Sequence, residues 1–67
     1  MTENSKKLLA ALVKGEVRVI GGIVFDPAMK PLMNTTDLCE TVRSLSKVGI
    51  SVCRQDAGGS PRWALEL

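Results

Sequence analysis

A small domain of the α+β class is what this 67-residue chain predicts. Two stretches, Leu8 to Val13 and Leu38 to Val48, carry apolar residues at helical spacing. Two others, Glu16 to Phe25 and Ile50 to Leu67, are rich in β-branched residues or alternate with period two. Glycine and proline punctuate the chain where these runs end. Residues 1–67 therefore read as one domain, with residues 1–4 as a disordered tail. A chain this short buries only about 60% of the surface its unfolded form exposes, so its core is thin.

The first helix is expected over residues 5–14. Leu8, Leu9, Leu12 and Val13 form one stripe that packs the core. Ser5 or Asn4 offers a capping oxygen, and Gly15 stands where a left-handed residue ends a helix. Glu16 to Phe25 admits two readings. Gly21-Gly22 suits a two-residue turn of positive φ, which makes a hairpin; otherwise one strand at 16–20 leads into a loop. Asp26-Pro27 opens a turn or a short helix, which Pro31 limits to about one turn. The expectation for this stretch is a short irregular helix, packed through Met29, Leu32 and Met33.

The clearest helix spans 35–48. Asn34 or Thr35 caps it, and Asn34-x-x-Asp37 resembles a capping box. Leu38, Val42, Leu45 and Val48 form the core stripe. Asp37, Glu40, Thr41, Arg43, Ser44 and Lys47 occupy the other face, and Gly49 ends the helix. Ile50 to Leu67 then forms a hairpin. Trp63, Leu65 and Leu67 share its buried face with Ile50 and Val52, while Arg62, Ala64 and Glu66 point the other way. Arg54 to Pro61 connects the strands, with Ala57, Gly58, Gly59 and Ser60 at the tip. Trp63, the sole tryptophan, anchors the sheet to the last helix.

The net charge is +2, and the basic residues are scattered. From Thr35 onward, Arg43, Lys47, Arg54 and Arg62 are matched one for one by Asp37, Glu40, Asp56 and Glu66. Any contact with nucleic acid rests on where charges point, not on bulk charge. With no histidine and only Cys39 and Cys53, the chain lacks the roughly four ligands of a structural zinc site. The cysteines are expected to be reduced packing residues. No activated nucleophile or paired carboxylate is visible, and Gly21-Gly22 and Gly58-Gly59 lack the surroundings of a phosphate loop. The chain is therefore expected to be no enzyme and to bind no cofactor or metal. No apolar run reaches the ~18 residues of a membrane span, and Leu8 to Val13 is too short for a secretory signal. A cytoplasmic protein without membrane contact is the expectation.

The segment Glu40 to Leu67 (Glu-Thr-Val-Arg-Ser-Leu-Ser-Lys-Val-Gly-Ile-Ser-Val, a Gly-containing connection, Arg-Trp-Ala-Leu-Glu-Leu) is similar to the short winged helix-turn-helix proteins of phages and prophages. Those end in a recognition helix, a Leu-x-x-x-Gly-Ile break and a wing. Lys6-Lys7-Leu8-Leu9-Ala10-Ala11-Leu12 suits their first helix. The likeness lapses between Gly15 and Asn34, where such families place a regular second helix to brace the recognition helix.

The resemblance implies a winged-helix-like domain that regulates by binding duplex DNA with helix 35–48 and wing 54–62. Thr36, Glu40, Thr41, Arg43 and Ser44 would face base edges, and Lys47 a phosphate. Arg54, Gln55, Ser60 and Arg62 would sit on the backbone or in the minor groove. Asp37, Glu40 and Asp56 bring opposing charge. The alternative is a protein-interaction module of the same fold, an antirepressor or an inhibitor of a host protein. A homodimer is compatible with either reading, through an edge strand or Val19 to Phe25.

Overall fold

The computed structural model describes residues 2–56 and 59–66. The elements in chain order are α1 (Glu3–Lys14), β1 (Val17–Ile20), β2 (Ile23–Phe25), β3 (Pro31–Asn34), α2 (Thr35–Lys47), β4 (Val52–Gln55) and β5 (Arg62–Leu65). The strands make one antiparallel sheet in the order β3-β2-β1-β5-β4. The α+β class is as expected, with two helices on five strands. Leu8, Ala11 and Leu12 of α1, Leu38 and Leu45 of α2, and Val17, Val24 and Met33 of the sheet form the buried core.

Helix α1 starts earlier than expected, so residues 2–4 are not a tail. Thr2 Oγ1 accepts from the Ser5 N–H at 3.2 Å, and its hydroxyl donates to Ser5 Oγ at 3.0 Å. That pairing lets Ser5 lie buried on the core stripe with Leu8, Ala11 and Leu12. Val13 falls off the stripe and is 70% exposed. Gly15 ends the helix in extended backbone, φ 162°, rather than the expected left-handed form. A Cβ there would meet the Pro27 ring at 3.3 Å, so close packing is what glycine permits at this position.

Of the two readings for residues 16–25, the hairpin is the observed one. Ile20 faces Ile23 across Gly21 and Gly22, whose φ values of 59° and 80° fit a two-residue turn with both central residues left-handed. The irregular helix expected after it is absent among the described residues. Asp26 opens a turn instead: its carboxylate accepts from the Lys30 N–H at 2.8 Å, and its own N–H donates to the Lys30 carbonyl at 2.9 Å. Pro31 then begins β3, the first position of an edge strand, where its missing N–H breaks no interior ladder.

Asn34 closes β3 opposite Ile23 and also caps α2, its side chain accepting from the Asp37 N–H at 2.8 Å. Helix α2 is thereby fixed to the sheet without a linker. It ends one residue short of the expected span, with Val48 as cap. The Gly49 N–H reaches the Ser46 carbonyl at 3.1 Å and the Ile50 N–H the Leu45 carbonyl at 2.9 Å, a Schellman closure around Gly49 at φ 87°. The buried stripe is Leu38, Thr41 and Leu45; Val42 is half-buried and Val48 is 62% exposed, not core.

The C-terminal hairpin follows the expected alternation. Val52 faces Leu65 and Arg54 faces Trp63 on one side, Cys53 faces Ala64 and Gln55 faces Arg62 on the other. The expected tip residues Ala57 and Gly58, and Leu67 on the buried face, lie outside the described residues, as does Met1.

The two readings of the α2 stripe separate cleanly in stability. Leu38→Ala is expected to cost about 2–5 kcal/mol through lost burial and the cavity left behind. Val48→Ala is expected to stay within about 0.5 kcal/mol. Urea denaturation of both variants checks this, and a large loss at Val48 would restore it to the core.

Candidate functional site

Sheet register decides which residues can act together. Directly opposed residues share a face and neighbours along a strand alternate. Val17 is fully buried and faces Trp63; Val19 faces Val24, which faces Met33. These residues, with Leu65 and Val52, define the face that the helices cover. The other face carries Arg18, Ile20, Ile23, Phe25, Arg62, Ala64, Cys53 and Gln55. Among the described residues none of these belongs to the core that the helices form with the sheet.

This geometry divides the residues expected to form one DNA-reading surface. Thr36, Glu40, Arg43, Ser44 and Lys47 are exposed on the outer side of α2, opposite its core stripe. Thr41 is only 4% exposed, and its hydroxyl donates to the Asp37 carbonyl at 2.6 Å. It packs the core and cannot reach a base edge. A helix stripe at i, i+3 and i+7 needs position 41, and a threonine there meets its polarity within the helix.

The residues expected to form a wing are also divided. Gln55 and Arg62 lie on the open sheet face, away from α2. Arg54 lies on the covered side, its guanidinium 5.9 Å from the Trp63 ring centroid, with Nε donating to the Asp56 carboxylate at 3.0 Å. Ser60 is exposed at the approach to β5. Arg54 and Trp63 help line an apolar groove of about 180 Å3 beside Leu38 and Cys39 of α2. Cys39 is exposed rather than a packing residue, and Cys53 is half-buried.

What the register assembles instead is a row across the open face: Pro31, Phe25, Arg18, Arg62 and Gln55, one residue per strand. The Val19 N–H donates to the Pro61 carbonyl at 3.1 Å, which makes Arg18 and Arg62 the adjacent non-hydrogen-bonded pair. In such pairs the Cα atoms approach to about 4.5 Å and the side chains are closest. Two like charges therefore stand directly opposed. Arg62 has a weak counter-charge, Glu16, at 3.8 Å, and its buried Nε makes no hydrogen bond. Among the described residues Arg18 forms no ion pair. Next to the pair, Ile20 and Ile23 are 47% and 40% exposed. Arg18 also lines a cleft of about 250 Å3 with Glu16 and with Pro27 and Met29 of the β2–β3 turn. Met29 holds a left-handed φ of 63° there.

Sequence reading missed Arg18 because its importance is positional. Only the pairing of β1 with β5 sets it against Arg62, and nothing local signals that pairing. Among the described residues no cluster of histidine, cysteine or carboxylate side chains is placed to hold a metal, and no helix is long and apolar enough to cross a membrane. In comparisons with family models, curated proteins and solved structures, nothing matches this chain.

Opposed like charges destabilise a sheet by roughly 0.2–1 kcal/mol. Arg18→Thr is accordingly expected to raise the unfolding free energy by about that amount, read by urea denaturation at low salt. A loss of stability would show that Arg18 is held by favourable contacts within the fold.

Proposed function

We propose that this chain is a non-catalytic docking module that receives a protein partner on the open face of its sheet. One juxtaposition carries the reading: the opposed Arg18–Arg62 pair lies beside exposed Ile20 and Ile23 on the sheet face opposite the one whose residues join the helices in the core. Protein interfaces favour arginine, aromatic residues and methionine over lysine and carboxylates. The five strands hold Arg18, Arg54 and Arg62 but neither lysine nor acid. A contiguous apolar patch rimmed by polar groups is the usual mark of a docking site.

A second reading, duplex DNA binding in the winged-helix manner, is favoured by the order of α2 and the β4–β5 hairpin and by the α2 stripe. In that reading Thr36 and Glu40 lead into the major groove, Arg43 and Ser44 follow, and Lys47 meets phosphate. It would make the chain a regulator like the phage proteins that Glu40 to Leu67 resembles.

The two readings diverge in one pair of measurements. If DNA is the ligand, Arg43→Ala weakens specific binding by about 1–3 kcal/mol and Lys47→Ala flattens the salt dependence, both read by fluorescence anisotropy on duplex DNA. The docking reading expects neither variant to differ from the parent. It also expects a photo-crosslinking residue at position 23 to capture a protein, and Arg18→Gln to weaken that capture. A duplex affinity that depends on Arg43, with no capture from position 23, would overturn it.

A further inference from the structure

We infer that the docking segment of the partner is an extended, acidic stretch of protein chain. Its carboxylates engage Arg18 and Arg62, and an adjoining apolar side chain covers Ile20, Ile23 and Phe25. The inference rests on the reading that the open face receives a protein.

Arg18 and Arg62 face each other, and among the described residues the one acid within ion-pair range of either is Glu16, 3.8 Å from Arg62. A guanidinium presents a planar fork that matches a carboxylate bidentately, and such charge-assisted pairs are the strong ones. Two carboxylates arriving together would relieve the repulsion that the fold leaves standing.

Along the row, Phe25, Arg18 and Arg62 stand on neighbouring strands, in steps of about 4.8 Å. An extended segment crossing the strands presents same-side residues every ~6.6 Å, a mismatch that the long arginine side chains absorb. The order demanded of the partner is then an apolar residue, a carboxylate two positions on and a second carboxylate two positions beyond.

The competing occupants fit less well. Single-stranded nucleic acid is held by several aromatic platforms on a basic groove, and this face offers Phe25 alone, since Trp63 lies on the covered side. A second copy of this chain, packed face to face, would set one Arg18–Arg62 pair against another. Each copy would bring Glu16 alone, which already sits 3.8 Å from its own Arg62.

The test uses the full chain with labelled methyl groups. It is titrated with a synthetic peptide containing Ile-Ser-Glu-Ser-Glu between Gly-Ser ends, with the same peptide carrying Gln for Glu, and with short oligodeoxythymidine. The acidic peptide is expected to shift the methyls of Ile20, Ile23 and Ala64 and to leave those of Val13 and Val48 in place. Affinity should fall about tenfold in Arg18→Gln, as loss of one charge-assisted contact implies, and further for the Gln peptide, which loses both. A melting temperature of Arg18→Gln at or above the parent's separates lost binding from lost fold. Equal binding of the Gln peptide would overturn the acidic chemistry while leaving the docking reading intact. No shift with either peptide would overturn both. Tighter binding of oligodeoxythymidine on the same methyls would reassign the face to nucleic acid. A dimer in sedimentation with those methyls at its interface would reassign it to a second copy.

Discussion

The pairing of β1 with β5 is the constraint on which the rest of the molecule depends. It joins the beginning of the chain to its end, through the Val17–Trp63 and Arg18–Arg62 pairs and the Val19 N–H bond to Pro61. The β1–β2–β3 meander and the β4–β5 hairpin are each local structures. Only this one ladder merges them into a five-stranded sheet with enough breadth to seat two helices. The register is also a choice of faces. A slip by one residue would send Val17 to solvent and bring Arg18 against the helices, where its charge would lack a partner. Burial of Val17, together with Trp63 packing on the same core, holds the register.

One consequence is that the same pairing writes both sides of the domain. On the covered side it completes a core of leucine, valine and methionine between sheet and helices. On the open side it aligns two arginines that gain nothing from each other. The energetic asymmetry is large. Burying a valine or leucine contributes roughly 1.5–3 kcal/mol, whereas opposed exposed charges cost a few tenths to one. The core therefore dictates the register, and the sheet tolerates an unfavourable pair on its free face. That tolerance, combined with a patch of exposed isoleucine, is what distinguishes this face from the solvated outer side of α2, where Glu40 is interleaved with Arg43 and Lys47.

Much of the local structure was legible in the residues. The α2 cap at Asn34, the Gly49 terminator and the alternation of Val52 to Leu65 each follow from chemistry confined to a few positions. Strand β3 was not, because Pro-Leu-Met-Asn has no β-branched or aromatic residue; its strand character comes from pairing with β2 across the Asp26 turn. Thr41 looked like a reading residue because threonine is polar. Its hydroxyl is satisfied within α2, so it occupies the core position that Val48, beyond the last helical turn, does not reach. The candidate set split for a similar reason. Alternation within β4 and β5 separates Arg54 from Gln55 and Arg62, but which side the helices cover depends on β1, a long-range partner.

The most direct test of this account is a nuclear Overhauser measurement on the isotopically labelled chain, reading cross-strand contacts between α-protons. The non-hydrogen-bonded Arg18–Arg62 pair brings its α-protons together, so a strong cross-peak between them is the predicted result. A cross-peak joining Arg62 to Val17 or Val19 in its place would mean a slipped register, and with it neither the core nor the open face described for this protein would stand.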